Sequence, residues 1–116
     1  DDELIKVEED LKKVLDNPDN LKLYMDVDIE LHELLFQKLE NHFLKDVLEN
    51  MRDHSLRMRW AVETSEPGIR SDIELESTKE HLKIVEALKT RNEQNVFHAV
   101  KDHLMRSKKR ILKVEK

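Results

Sequence analysis

One glycine and two prolines in 116 residues leave this chain almost nowhere to turn tightly. Each strand reversal of a β-sandwich or barrel draws on glycine or a similar turn former, so either architecture would need many more. The rest of the composition points the same way. Charged residues make up 41%, hydrophobic residues 38% and aromatics 4%, and the abundant Leu, Glu and Lys suit long amphipathic helices. The length allows one domain. We therefore expect an all-α fold over residues 1–116, an antiparallel bundle of about five long helices joined by short connections.

The same counts exclude several functions. The chain has no cysteine, which removes disulfide scaffolds, iron–sulfur clusters and thiolate zinc sites and is compatible with a reducing cytoplasm. Any metal has to be held by histidine and carboxylate. No stretch is apolar enough to span a bilayer, and the acidic start Asp1-Asp2-Glu3 is unlike the basic start of a secretory signal. The expectation is a cytoplasmic chain that does not engage membrane. A net charge of -5 and a pI near 5.7 argue against this segment gripping a phosphate backbone by itself. The basic run Arg106, Lys108, Lys109, Arg110 and Lys113 reads as cations complementing the dipole of a last helical turn.

The few breakers place the helices. The first covers roughly Asp1 to Asp16, with Leu4, Val7, Leu11, Val14 and Leu15 on one face; that face needs cover from the bundle or from another chain. Asn17 is expected to cap a second helix from Pro18 to about Glu40, and Asn41 marks the next break. A third helix carries Leu44, Val47, Leu48, Met51, Leu56, Met58 and Val62. The loop 64–70 follows, and Ser71-Asp72-Ile73-Glu74 reads as a capping box opening helix four. Arg91-Asn92 turns the chain into helix five.

Three of these helices place polar residues in rows otherwise apolar. Helix two repeats Leu21, Met25, Asp28, His32, Leu35 and Leu39 at helical spacing, and Asp28 and His32, one turn apart, can converge on one atom. Helix four offers Thr78, His81, Val85 and Leu88; helix five offers Val96, Val100, His103, Ser107 and Ile111. One carboxylate and three imidazoles at inward positions make the nitrogen and oxygen donor set that a divalent metal takes. The plainer alternative is a set of hydrogen-bonded core histidines. His42 and His98 read as solvated, and His54 as a core or surface residue on a competing stripe with Val47, Met51, Met58 and Ala61, with proximity to the site as the other option. Ser55, Ser65, Ser71, Ser77 and Ser107 read as cap, loop or surface residues. The metalloprotease His-Glu-x-x-His does not occur, and no histidine has Glu three residues before it, as paired di-iron sites need.

Asp28-x-x-x-His32, Asn41 with Leu44 and Leu48, Glu80-His81-Leu82-Lys83-Ile84-Val85-Glu86-Ala87-Leu88 and Ala99-Val100-Lys101-Asp102-His103-Leu104 together resemble the FCD domain. This is the effector-sensing domain of the FadR/VanR branch of GntR-type bacterial transcriptional regulators. The resemblance implies metal ligands at Asp28, His32, His81 and His103, the four residues the inward rows select. The ion would be zinc or nickel first, manganese or iron next. It further implies a small carboxylate effector, a homodimer, and DNA contact only through a winged helix-turn-helix ahead of this segment. The family's first sensory helix is expected to be missing here. Arg52, Ser55 and Arg59, on one face with Leu48, are candidates to complete effector binding, and no catalytic residue is expected. The rival readings are a purely structural, dimerising helical module and a mononuclear metal-dependent hydrolase.

Overall fold

The computed structural model describes residues 2–38 and 42–114. Every regular element among them is helical: α1 (Asp2–Asp16), α2 (Leu21–Lys38), α3 (His42–Thr64), α4 (Pro67–Lys89) and α5 (Glu93–Val114). The expected end of helix two at Glu40, the break at Asn41 and the inward Leu39 lie outside the described residues, as do the side chains of His42 and Leu44. No helix among the described residues is long and apolar enough to cross a membrane.

Two helix starts differ from the sequence expectation. Asn17 closes α1, its side-chain amide donating to the Lys13 carbonyl at 2.8 Å. Pro18 then occupies a turn closed by the Asn20 amide on the Asn17 carbonyl at 3.1 Å, a position that favours its fixed φ. The cap of α2 is therefore Asn20, whose Oδ1 accepts from the Leu23 amide at 3.0 Å. Helix α4 begins at Pro67, in the first turn where a missing N–H costs nothing. The connection from α3 shrinks to residues 65–66. Arg70 holds that reversal by donating from Nε to the Val62 carbonyl at 3.0 Å and from Nη2 to the Ser65 carbonyl at 3.2 Å. Ser71 and Glu74 consequently lie inside the helix and form no capping box; the Ser71 hydroxyl donates to Asp19 at 2.7 Å.

The turn into α5 was legible. Asn92 Oδ1 accepts from the amides of Gln94 at 2.9 Å and Asn95 at 3.3 Å, and Arg91 takes the left-handed conformation, φ 56°, in place of the usual glycine.

The bundle is antiparallel. Lys6 meets Glu30 across α1 and α2, and Ser55 meets Asp28 across α2 and α3. His81 meets His103 across α4 and α5. Helix α1 lies against both α2 and α4, α5 lies against α4 and α3, and α3 touches α2 and α4 more sparingly. Leu4, Val7, Leu11 and Val14 are buried, so the apolar face of α1 is covered within the chain and needs no second copy. Leu56, expected in the core, is 60% exposed, because it lies opposite the stripe formed by Met51, His54 and Met58.

The buried apolar residues form two groups. The larger includes Leu48, Met51, Ile84, Val85, Val96, Val100 and Leu104, and the smaller consists of Met58, Ala61, Val62, Ile73 and Ile111. On α3, α4 and α5 the buried polar residues fall between these groups: His54 and Ser55; Glu74, Ser77, Thr78, Glu80 and His81; His103 and Ser107. A polar layer thus divides the core.

Candidate functional site

Within that layer the four residues selected from the sequence come together. Asp28 and His32 stand one turn apart on α2, with Asp28 Oδ1 3.3 Å from His32 Nε2. The same oxygen is 3.6 Å from His81 Nε2 on α4, which in turn lies 3.2 Å from His103 Nε2 on α5. All four residues are buried. Each helix contributes through an inward row, and every described member of the α4 and α5 rows is buried as expected.

The surrounding groups partner this cluster closely. Ser55 donates to the second oxygen of Asp28, and Arg59 Nη2 stands 3.9 Å from that oxygen. His103 Nδ1 is 2.7 Å from Glu80 Oε1, and Arg110 forks onto both oxygens of Glu80 at 2.6 and 2.7 Å. His54 Nε2 is 2.6 Å from the Ser107 hydroxyl, and Tyr24 donates to Ser77 at 3.0 Å.

Burial and charge set the protonation states. Burial alone would raise Asp28, but the hydrogen bond and charge of His32, the charge of His81 and the Ser55 hydroxyl outweigh it and hold the carboxyl below its ordinary range. Burial, reinforced by the neighbouring His103, pushes His81 down to about 3, so its imidazole is neutral at physiological pH. His54 falls to about 4 through burial and then repulsion from His103 and nearby basic residues. Burial opposes ionisation of Glu80 as well, yet the hydrogen bonds from Arg110 and His103 prevail and bring it down to about 2.

The enclosed space is small. Tyr24, Asp28, His32, His54, Ser55 and His81, with residues adjoining them, line a cavity of about 10 Å³, room for one water-sized species. A larger cleft of about 450 Å³ lies elsewhere, beside Leu4, Leu88 and Val96, away from all four candidate ligands. As the side chains stand, no group of three or more histidines and carboxylates among the described residues could hold a metal ion.

Several expectations change. Arg52 lies over the Phe36 ring, its guanidinium carbon 4.2 Å from the centroid, and is absent from the cavity lining. Ser55, Ser77 and Ser107 are buried in the polar layer, not capping or surface residues. His54 lines the cavity, whereas His98 is exposed. Arg110, read from its basic run as a helix-end cation, turns inward to Glu80. Nothing in helical periodicity joins two residues 30 positions apart; the only available signal was the charge of Glu80 beside an inward His81.

The chain matches the FCD domain family over residues 1–106 and belongs to that family. FCD domains are ligand-sensing domains of GntR-type transcriptional regulators. No curated protein and no solved structure matches the chain.

Proposed function

We propose that Asp28, His32, His81 and His103 hold a divalent metal ion, zinc or nickel ahead of manganese or iron, and that a small carboxylate effector is sensed at this site. The reading rests on one observation: three helices bring oxygen and nitrogen donors to one buried place, with adjacent donors 3.2 to 3.6 Å apart. Two ligands about 2.1 Å from one ion stand roughly 3.0 to 3.4 Å apart; the Asp28–His32 and His81–His103 pairs fall in that range, and the Asp28–His81 pair, at 3.6 Å, lies just beyond it. The donors sit at side-chain ends, which rotate without displacing a helix, and binding requires such an adjustment, because as they stand no three of these groups among the described residues could hold an ion. When bound, the ion supplies positive charge and open coordination positions for an anion.

The residues of the chain do the rest. Ser55 and Arg59, already next to the outer oxygen of Asp28, are the polar groups an arriving carboxylate meets first, and a guanidinium suits a carboxylate's two oxygens. A cavity of about 10 Å³ does not admit an organic acid, so binding requires the helices around it to part. Helix α3 packs mainly on α5 and touches α2 and α4 more sparingly, so the seams it makes with α2 and α4 are where the bundle would open. An effector that favours the parted state shifts the domain toward it, and in a dimeric regulator that shift changes the placement of attached DNA-reading segments.

Calorimetry of the chain against a panel of small organic acids, with and without chelator, tests this reading. Binding of at least one acid that vanishes on metal removal is expected. Undiminished binding after complete removal would refute coordination. The second reading, a structural dimerising module, is favoured by the His81 and His103 contact at 3.2 Å, which already satisfies two buried imidazole nitrogens without any ion. Failure of every acid in the panel would support it.

A further inference from the structure

We infer that Glu80, braced by Arg110, is a positioning residue that sets both the tautomer and the aim of His103. The use of that aim rests on the metal reading above; the tautomer itself does not. His103 Nδ1 lies 2.7 Å from Glu80 Oε1, and an ionised carboxylate only accepts, so the ring proton resides on Nδ1. In the neutral ring, Nε2 of His103 is then a bare lone pair. It faces Nε2 of His81 at 3.2 Å, and between two neutral rings in the metal-free chain that contact is a hydrogen bond only if His81 carries its proton on Nε2. As neutral rings the two hold opposite tautomers.

Arg110 makes the arrangement stiff. Its two terminal nitrogens donate to the two oxygens of Glu80 at 2.7 and 2.6 Å, and the fork fixes the plane of the carboxylate. Glu80 cannot rotate away from His103 without breaking both of these bonds. Its position on α4 next to His81, with His103 and Arg110 both on α5, clamps the two helices together at the height of the cluster. Outer partners of this kind raise the basicity of an imidazole ligand and fix its orientation.

The test is long-range nitrogen–proton NMR of the imidazole rings in the metal-free full chain, followed by zinc titration. Wild type is expected to show the Nδ1–H tautomer at His103 and the Nε2–H tautomer at His81. Replacing both partners, Glu80→Leu with Arg110→Met, leaves neither charge buried alone. It is expected to abolish the His103 preference and to weaken zinc binding about 10- to 100-fold. Glu80→Met, which removes the acceptor while Arg110 keeps Glu76 at 3.6 Å, decides the matter if the double variant does not fold. A His103 proton on Nε2 in wild type, or an unaltered tautomer pattern in the folded variants, would overturn the inference. Wild type with the expected tautomers but no zinc uptake would remove the metal reading and leave the positioning role standing.

Discussion

Glu74 and Glu80 are carboxylates on the same helix, both buried in the bundle, and they are treated in opposite ways. Glu80 receives Arg110 on both oxygens and His103 on one, and stays ionised. Among the described residues both oxygens of Glu74 are buried without a hydrogen-bond partner, as is the hydroxyl of Thr78 one turn on. Burial pushes Glu74 up to about 7, with Arg70 opposing and Asp19 adding to the shift; the nearby Tyr24, on α2, is itself raised by burial and by Asp28. The contrast shows that burial alone does not set a carboxylate's charge; donors arriving from another helix can outweigh it. Position along α4 decides this: α5 presents Arg110 and His103 toward Glu80 and, among the described residues, nothing equivalent toward Glu74.

Removing each carboxylate should break the comparison in opposite directions. Glu80→Ala leaves Arg110 with only Glu76, 3.6 Å away, and the His103 N–H without its acceptor, and should cost about 3 kcal/mol in urea denaturation at neutral pH; a loss under about 1 kcal/mol would mean the network contributes little. Glu74→Gln should stabilise. For Glu74 the folded pKa of about 7 lies above the ordinary 4.5, so its relative stability is fully present below about pH 4.5 and is lost as pH rises through about 7. The variant should exceed wild type by on the order of 2 kcal/mol at about pH 8, and the gap should close below about pH 4.5. A pH-independent difference would show that Glu74 does not titrate in that window. The smallest effect sharpens the boundary of the site: Arg52→Ala should cost about 0.5 to 1 kcal/mol by exposing Phe36 and should leave zinc affinity unchanged in calorimetry.

The inward row of α5 was legible because that helix buries one narrow stripe, which a strict helical spacing names. The row named on α4 is buried throughout, and so His81 and His103 were found, but α4 also buries Ile73, Ser77, Glu80, Ile84 and Ala87 beside that row. Helix α2 was only half legible. It lies between α1 and α3, so Tyr24, Val27, Leu31 and Leu34 are buried beside Asp28, His32 and Leu35, and one row cannot describe a helix covered on more than one side. Glu74 was misread as a cap because Ser-x-x-Glu carries that signature wherever it falls, and Pro67 started the helix earlier. Glu80 and Arg110 were missed for a different reason. In a chain that is 41% charged, an inward glutamate looks like its solvated neighbours until the arginine that meets it is located in space.

Zinc titration by calorimetry of the metal-free wild type beside His81→Ala and His103→Ala asks whether Asp28, His32, His81 and His103 act as one ligand set. Wild type should saturate with a single equivalent and rise in thermal stability only with zinc present, and both variants should lose binding strongly. Wild type that takes up no zinc, nickel, manganese or iron, or variants that bind as tightly as wild type, would contradict a shared ligand set.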